Sequence, residues 1–175
     1  MLSSQLLSIV AEAERRLSAI PTDELDHKPA ADRWSKKEIL GHLIDSAYNN
    51  HQRFLRAPSQ DHLRFVGYDQ NEWVRRNAYQ QREAREVVAT FLAVQRHLAH
   101  TIATLSPEVL ERTTTDHEFD RMAMRAVPAG APASLGFLIE DYLFHLVHHL
   151  RQICGEFATD WYAGYQRSAN KFRLG

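Results

Sequence analysis

The segment Asp141-Tyr142-Leu143-Phe144-His145-Leu146-Val147-His148-His149-Leu150-Arg151-Gln152-Ile153 decides how the rest of the chain is read. Residues four apart on a helix stack on one face, so Asp141, His145 and His149 align, with Gln152 close by. An H-x-x-x-H pair can place two imidazole nitrogens on one cation at the ~2.0–2.1 Å typical of zinc. His148 lies three residues after His145 and could replace His149; spacing alone does not choose between them. Ser134 caps this helix, which runs to about Cys154 and stops at Gly155.

A mononuclear site needs a third ligand, and a helix further upstream offers His42. Ser35 and Glu38 form an S-x-x-E capping box in which each side chain satisfies a backbone donor near the other. Trp34 precedes the cap, placed for a hydrophobic staple onto Ile39, and the helix runs to about Arg56 before Pro58. His42 falls on the same side as Asp45 and Asn49 (i+3 and i+7), so a polar strip runs along an otherwise apolar helix. Such a strip costs stability in a core unless its members satisfy one another or coordinate something.

Two more long helices complete the set. Leu6, Ile9, Val10, Ala13, Leu17 and Ile20 recur at steps of three and four from Leu2 to Ile20, and Pro21 ends that run. Val87, Val88, Phe91, Leu92, Val94, Leu98 and Ile102 mark another from Arg82 to Leu105. Between the long helices, single turns are expected at Thr22–Leu25 and Glu108–Glu111, the latter after Ser106-Pro107. A short helix opened by Asp69 and Glu72 is expected through Arg76, with a break at Tyr79. Ala57–Tyr68 reads as loop, and Arg112–Pro132 has no helical pattern. The fold class is therefore all-α, a four-helix bundle with short extra helices in the connectors, packed mostly near-antiparallel. Residues 1–155 form one domain; 156–175 form a C-terminal extension, partly docked, with a short helix expected up to about Tyr165. The connectors after the second and third long helices exceed the usual two to eight residues, which suits the frame of a site.

Composition sets the limits. The 175 residues are 44% hydrophobic and 25% charged with a formal net charge of -1, a globular balance without the basic footprint that nucleic acid or an anionic membrane demands. No stretch approaches the ~18 apolar residues of a membrane span. Cys154 stands alone, so an intramolecular disulfide and a thiolate zinc site are excluded and a reducing compartment is expected. The acidic Glu12 and Glu14 in the first helix do not suit a signal peptide, and the expected location is cytoplasmic. Ten histidines are many, against the ~2% usual in soluble proteins. His27, His51, His62, His97, His100 and His117 read as surface or loop residues.

Two motifs carry a resemblance. Trp34-Ser35-Lys36-Lys37-Glu38-Ile39-Leu40-Gly41-His42-Leu43-Ile44-Asp45 looks like the second-helix motif of the DinB/YfiT-like superfamily. His145-Leu146-Val147-His148-His149-Leu150-Arg151-Gln152-Ile153 is similar to its fourth-helix signature, H-x-x-H-H-x-x-Q-I. Gly67-Tyr68-Asp69-Gln70-Asn71-Glu72-Trp73-Val74 has the look of a segment common in one branch, and the resemblance spans roughly residues 5 to 155. It implies a four-helix bundle holding one divalent ion, nickel or zinc, on His42, His145 and His149, which selects His149 over His148. It also implies a bacterial, cytoplasmic protein, compatible with a homodimer. Relatives of this kind include transferases of low-molecular-weight thiols (bacillithiol, mycothiol or glutathione), maleylpyruvate isomerases and metal-dependent hydrolases, so membership constrains the site more than the reaction.

Three histidines on one ion leave positions open, as catalytic sites require. The ion could lower the pKa of water from ~15.7 to about 7 for hydrolysis, or hold a thiolate for transfer. The leading expectation is a thiol-cofactor S-transferase acting on small electrophiles; the alternatives are a metal-dependent hydrolase and a non-catalytic module binding a metal or small ligand. Asp45, Asp141 and Gln152 are candidates to orient the ligand imidazoles. His148 is a candidate general base, Tyr68 and Trp73 read as core packing with a cavity rim as the alternative, and Cys154 reads as inert packing.

Overall fold

The computed structural model of the protein describes residues 1–157. Helix α1 (Leu2–Ala19) buries Leu6, Ile9, Val10, Ala13 and Leu17, the expected stripe, and is followed by the single turn α2 (Thr22–Asp26). Helix α3 (Lys36–Arg56) begins at the expected box: the Glu38 amide donates to Ser35 Oγ (3.1 Å) and the Ser35 amide donates to Glu38 Oε2 (2.9 Å). The connector that follows carries α4 (Gln70–Arg76), capped where Asp69 Oδ1 accepts from the Asn71 and Glu72 amides. Helix α5 (Ala84–Ala103) contains its apolar stripe and is shorter than the expected Arg82–Leu105 by two residues at each end. Helix α6 (Pro107–Glu111) starts at the Ser106 cap, and α8 (Leu135–Cys154) runs from the Ser134 cap to Gly155, whose φ of 75° is the glycine-favouring stop.

The segment expected to lack pattern has structure of another kind. Thr113–Thr114 (β1) pairs antiparallel with Ala133–Ser134 (β2), and α7 (Phe119–Met122) lies in the excursion between them. His117, expected at the surface, is buried there. The Phe119 amide donates to its Nδ1 (3.2 Å), so the ring proton sits on Nε2 and donates to the Ala131 carbonyl (2.7 Å). The neighbouring connector is tied on by the Leu63 amide, which donates to the Asp116 carbonyl (2.9 Å).

The four long helices form the bundle, but in a different order from an up-and-down array. Helix α1 packs on α5 and α8, and α3 packs on the same two, so α1 and α3 lie across a diagonal. Arg85 donates to the carbonyls of Leu17 and Ile20 at the end of α1, while Arg96 pairs with Glu14, which makes α1 and α5 antiparallel. Lys37 at the start of α3 donates to the Arg82 carbonyl just before α5, and the His51 and His97 rings meet further along (4.9 Å); α3 and α5 are therefore parallel. Phe54 meets Tyr142 while His42 meets His145, so α3 and α8 are antiparallel. The C-terminal ends of α1 and α8 meet where Arg16 donates to the Glu156 carbonyl, so this pair is parallel too. Two of the four adjacent pairs are parallel, against the expected mostly antiparallel packing. The long connector from α3 to α5 is the reason, because a chain returning to the same end of the bundle needs that length.

Phe157, the last described residue, is buried beneath the Arg16 guanidinium; the short helix expected up to Tyr165 lies outside the described residues. Among the described residues no helix is long and apolar enough to cross a membrane.

The break expected at Tyr79 is a left-handed Ala78 (φ 50°) followed by a 3-10 turn, Tyr79–Gln81. Left-handed backbone costs an L-residue roughly 1–2 kcal/mol, and the return is the seating of Tyr79. Its ring covers Gly41, where any Cβ would overlap the ring, and its hydroxyl donates to Asp45 Oδ1 (2.8 Å). Gly41→Ala should therefore lower unfolding stability by about 1–3 kcal/mol through overpacking, whereas Ala78→Gly should raise it by up to ~1 kcal/mol. Urea denaturation of the two variants checks the opposite signs.

Candidate metal centre

The antiparallel contact of α3 with α8 brings His42 against His145 and His149. The ring centroids are 5.1 Å apart for His42–His145, 4.9 Å for His42–His149 and 4.6 Å for His145–His149. One nitrogen from each ring lies within 4.8 Å of the other two, and His42 Nε2 is 3.1 Å from His145 Nε2. Trp34 packs beside His42 with its ring centroid 5.2 Å away.

The three rings suit a cation by their proton inventory. Gln152 Oε1 can only accept, so His149 Nδ1–H donates to it (2.8 Å) and the lone pair of His149 is left on Nε2. His42 Nδ1 is buried without a hydrogen-bond partner. Burial pushes the His42 pKa down to about 4, with the nearby His149 adding to the effect. Burial also holds His145 well below the usual range, with His149, His42 and His148 contributing, and lowers His149 despite the opposing bond from Gln152. Three neutral imidazoles with lone pairs converging in a buried space are the donor set a divalent ion takes.

Of the expected supporting residues, Gln152 is the one hydrogen-bonded to a ring of the cluster, that of His149. Its Nε2 also donates to His148 Nε2 (3.3 Å), so His148 is engaged beside the cluster and is not part of it. Asp45 and Asp141 act elsewhere. Asp45 accepts on Oδ1 from Tyr79 Oη and Asn77 Nδ2 (2.8 Å each), its Oδ2 has no partner, and no hydrogen bond joins it to His42. Its burial drives its pKa up to about 6 against the lowering by those two donors. Asp141 accepts from the Met124 and Arg125 amides (2.8 Å each) and from Arg125 Nε (3.2 Å), which fastens the connector before β2 to α8. Cys154 is half-buried with its thiol pKa raised by burial, consistent with an unreactive packing residue.

His42 and His145 open into a cavity of about 470 Å³. Its α3 wall is Ser46, Asn50 and Arg53, its α8 wall Leu138, Asp141 and Tyr142, and the connectors add Gly67, Tyr68, Gln70 and residues 121–124. The strip that faces the cavity is thus His42, Ser46, Asn50 and Arg53, not His42, Asp45 and Asn49. The i+4, i+8 and i+11 spacing was present in the sequence to find it. Tyr68 belongs to this lining, and Trp73 stacks on it (4.6 Å) while remaining 37% exposed, so neither is core packing.

A helical bundle with a converging three-histidine cluster at the end of a cavity defines a class of metal-binding bundles. The chain belongs to the DinB superfamily, whose family model matches residues 5–153. It is 25% identical over 132 residues, 75% of this chain and 69% of the relative, to a protein of Oceanobacillus iheyensis provisionally named a metal-dependent hydrolase. Its fold resembles that of YfiT from Bacillus subtilis, described as "a probable metal-dependent hydrolase with an unusual four-helix bundle topology", with a TM-score of 0.68, 17% identity, and 87% of this chain and 81% of that one covered. It also resembles a mycothiol-dependent maleylpyruvate isomerase, with a TM-score of 0.63, 12% identity and 91% of this chain covered; the chain spans 62% of that protein.

The depressed histidine pKa values set a direction for acid sensitivity in the metal-free protein. Below pH 6.5 the unfolded imidazoles take up protons that the folded ones resist, His42 until about pH 4, so stability falls as pH drops below 6.5. His42 alone accounts for a loss of order 3 kcal/mol. Asp45 works the other way, since its raised pKa favours the folded state as pH falls from 6 to 3.8. Urea titrations from pH 7 to 4.5 should show acid destabilisation, and a steeper one in Asp45→Asn.

Proposed function

We propose that this protein is a metal-dependent enzyme whose divalent ion, nickel or zinc, is held by His42, His145 and His149, and that it transfers a low-molecular-weight thiol to small electrophiles. The observation that carries the reading is the convergence of three neutral imidazoles, two of them facing a cavity of about 470 Å³, room for a small molecule beside an ion. An ion bound there supplies a Lewis acid that stabilises an anionic nucleophile. The protein's own contribution is positional. Gln152 fixes the His149 ring with Nε2 inward, and burial keeps all three rings unprotonated near neutral pH. The tether from Asp141 to Met124 and Arg125 holds one cavity wall in place.

The second reading is hydrolysis, favoured by the names of the Oceanobacillus and Bacillus relatives. Protein purified without a histidine tag should carry about one equivalent of divalent ion per chain, and His42→Ala should lose it by elemental analysis. A panel of bacillithiol, mycothiol and glutathione with a haloaromatic or bimane electrophile then separates the reactions. Transferase activity requires at least one thiol to accelerate conjugation over the metal-stripped control; with none, the thiol reading is dropped in favour of hydrolysis or binding without turnover.

The tether gives a separate expectation. Asp141→Asn replaces a two-oxygen acceptor by an amide that offers a donor to one of the two backbone donors, so stability should fall by about 1.5–3 kcal/mol. Limited proteolysis should cut within residues 112–132 sooner than in the wild type.

A further inference from the structure

We propose that the cavity contains a carboxylate-binding subsite built on Arg53, so that the ligand is a small acid whose carboxylate sits at the end away from the imidazoles. The inference deepens the metal-enzyme reading and rests on it for which end of the ligand reacts.

Arg53 closes the polar face that begins at His42, and its side chain runs back toward the start of α3. Its Nη1 donates to Asn50 Oδ1 at 3.4 Å and its Nη2 to the Val66 carbonyl at 3.5 Å, both long, and its guanidinium lies 5.9 Å from the Phe65 ring centre. No carboxylate among the described residues lies within ion-pair distance of it. The guanidinium keeps its charge at any working pH, and a half-buried cation without a counter-charge is costly. The other charges of the cavity are already balanced: Asp141 by Arg125 (3.2 Å) and Arg121 by Asp120 (3.4 Å). Arg53 is therefore the charge in this wall that a ligand can complement.

The chemistry around it favours a carboxylate. A planar guanidinium matches the two oxygens of a carboxylate. The Tyr68 hydroxyl lines the same space, and burial pushes its pKa up to about 12, so it stays a neutral donor. One cation with a neutral donor suits a monoanion better than a dianionic phosphate. Eleven residues of helix separate His42 from Arg53, about 16 Å along the axis. Because helical side chains lean toward the N-terminus, the guanidinium lies on the order of 10 Å from the histidine cluster. A ligand with about six bonds between its reacting atom and its carboxylate fills that span.

The test uses two thiols that differ only at the far end, 6-mercaptohexanoate and 6-mercaptohexanol, titrated by calorimetry into nickel-loaded wild type and Arg53→Gln. Wild type should bind the acid at least tenfold tighter than the alcohol, and the ratio should fall to about one in Arg53→Gln with nickel content unchanged. Arg53→Lys should lie between them, and it carries the test should Arg53→Gln fail to fold. A wild-type ratio near one, or a ratio the substitutions leave unchanged, overturns the subsite. The same pair titrated into metal-free protein separates the two readings. Failure to hold nickel sinks the metal centre alone, whereas the acid preference and its dependence on Arg53 decide the subsite in either form.

Discussion

A helix that buries histidine, aspartate, serine and asparagine on its inner side must find partners for all of them, and the architecture around α3 is the solution to that requirement. His42, Asp45, Ser46 and Asn50 are each at most 6% exposed. Left unpaired, such groups would each cost a few kcal/mol, comparable in sum with the stability of a whole domain. Most of their polar atoms are met, from within α3, from the connector or from α8, while Asp45 Oδ2 and His42 Nδ1 keep no hydrogen-bond partner. Asn50 donates to the Ser46 carbonyl within α3, Asp45 takes Tyr79 and Asn77 from the connector, and His42 faces α8. The diagonal arrangement places α8 on one flank of α3 and α5 on the other.

The same requirement explains features that look unrelated. The left-handed Ala78 and the bare Gly41 serve one purpose, letting Tyr79 lie flat on α3 and reach Asp45. The connector between α6 and α8 forms a strand pair, buries His117 and Phe119, and then offers two amides to Asp141. Both long connectors thus act as walls of a cavity that opens on the histidines. Rigid walls suit a site in which ring orientation determines what the lone pairs can reach.

Charge balance sharpens the picture. Burial suppresses protonation of the three rings, so the cluster is electrically neutral, while Arg53 leaves a fixed positive charge further along the same helix face. The proposed ligand would be held at two ends by different means, an ion on the imidazoles and the Arg53 guanidinium. That is an arrangement for orientation as well as affinity.

The amino-acid sequence by itself determined the four long helices, the caps of α3 and α8 and the two histidine motifs, because these depend on periodicity and on side chains within four residues of one another. Ser35 with Glu38, Ser134 with Phe137 and Gln152 with His149 are all local and were legible. The capping pair at Asp69 and the stop at Gly155 were legible for the same reason. Only the tertiary structure decided the parallel pairing of α3 with α5, the partners of Asp45 and Asp141, the burial of His117 and the place of Arg53 in the cavity wall. Those depend on contacts between residues far apart in sequence, such as Asp45 with Tyr79 or Phe54 with Tyr142. Helical spacing states which face a side chain occupies, but what that face meets is set by how the long connectors return the chain.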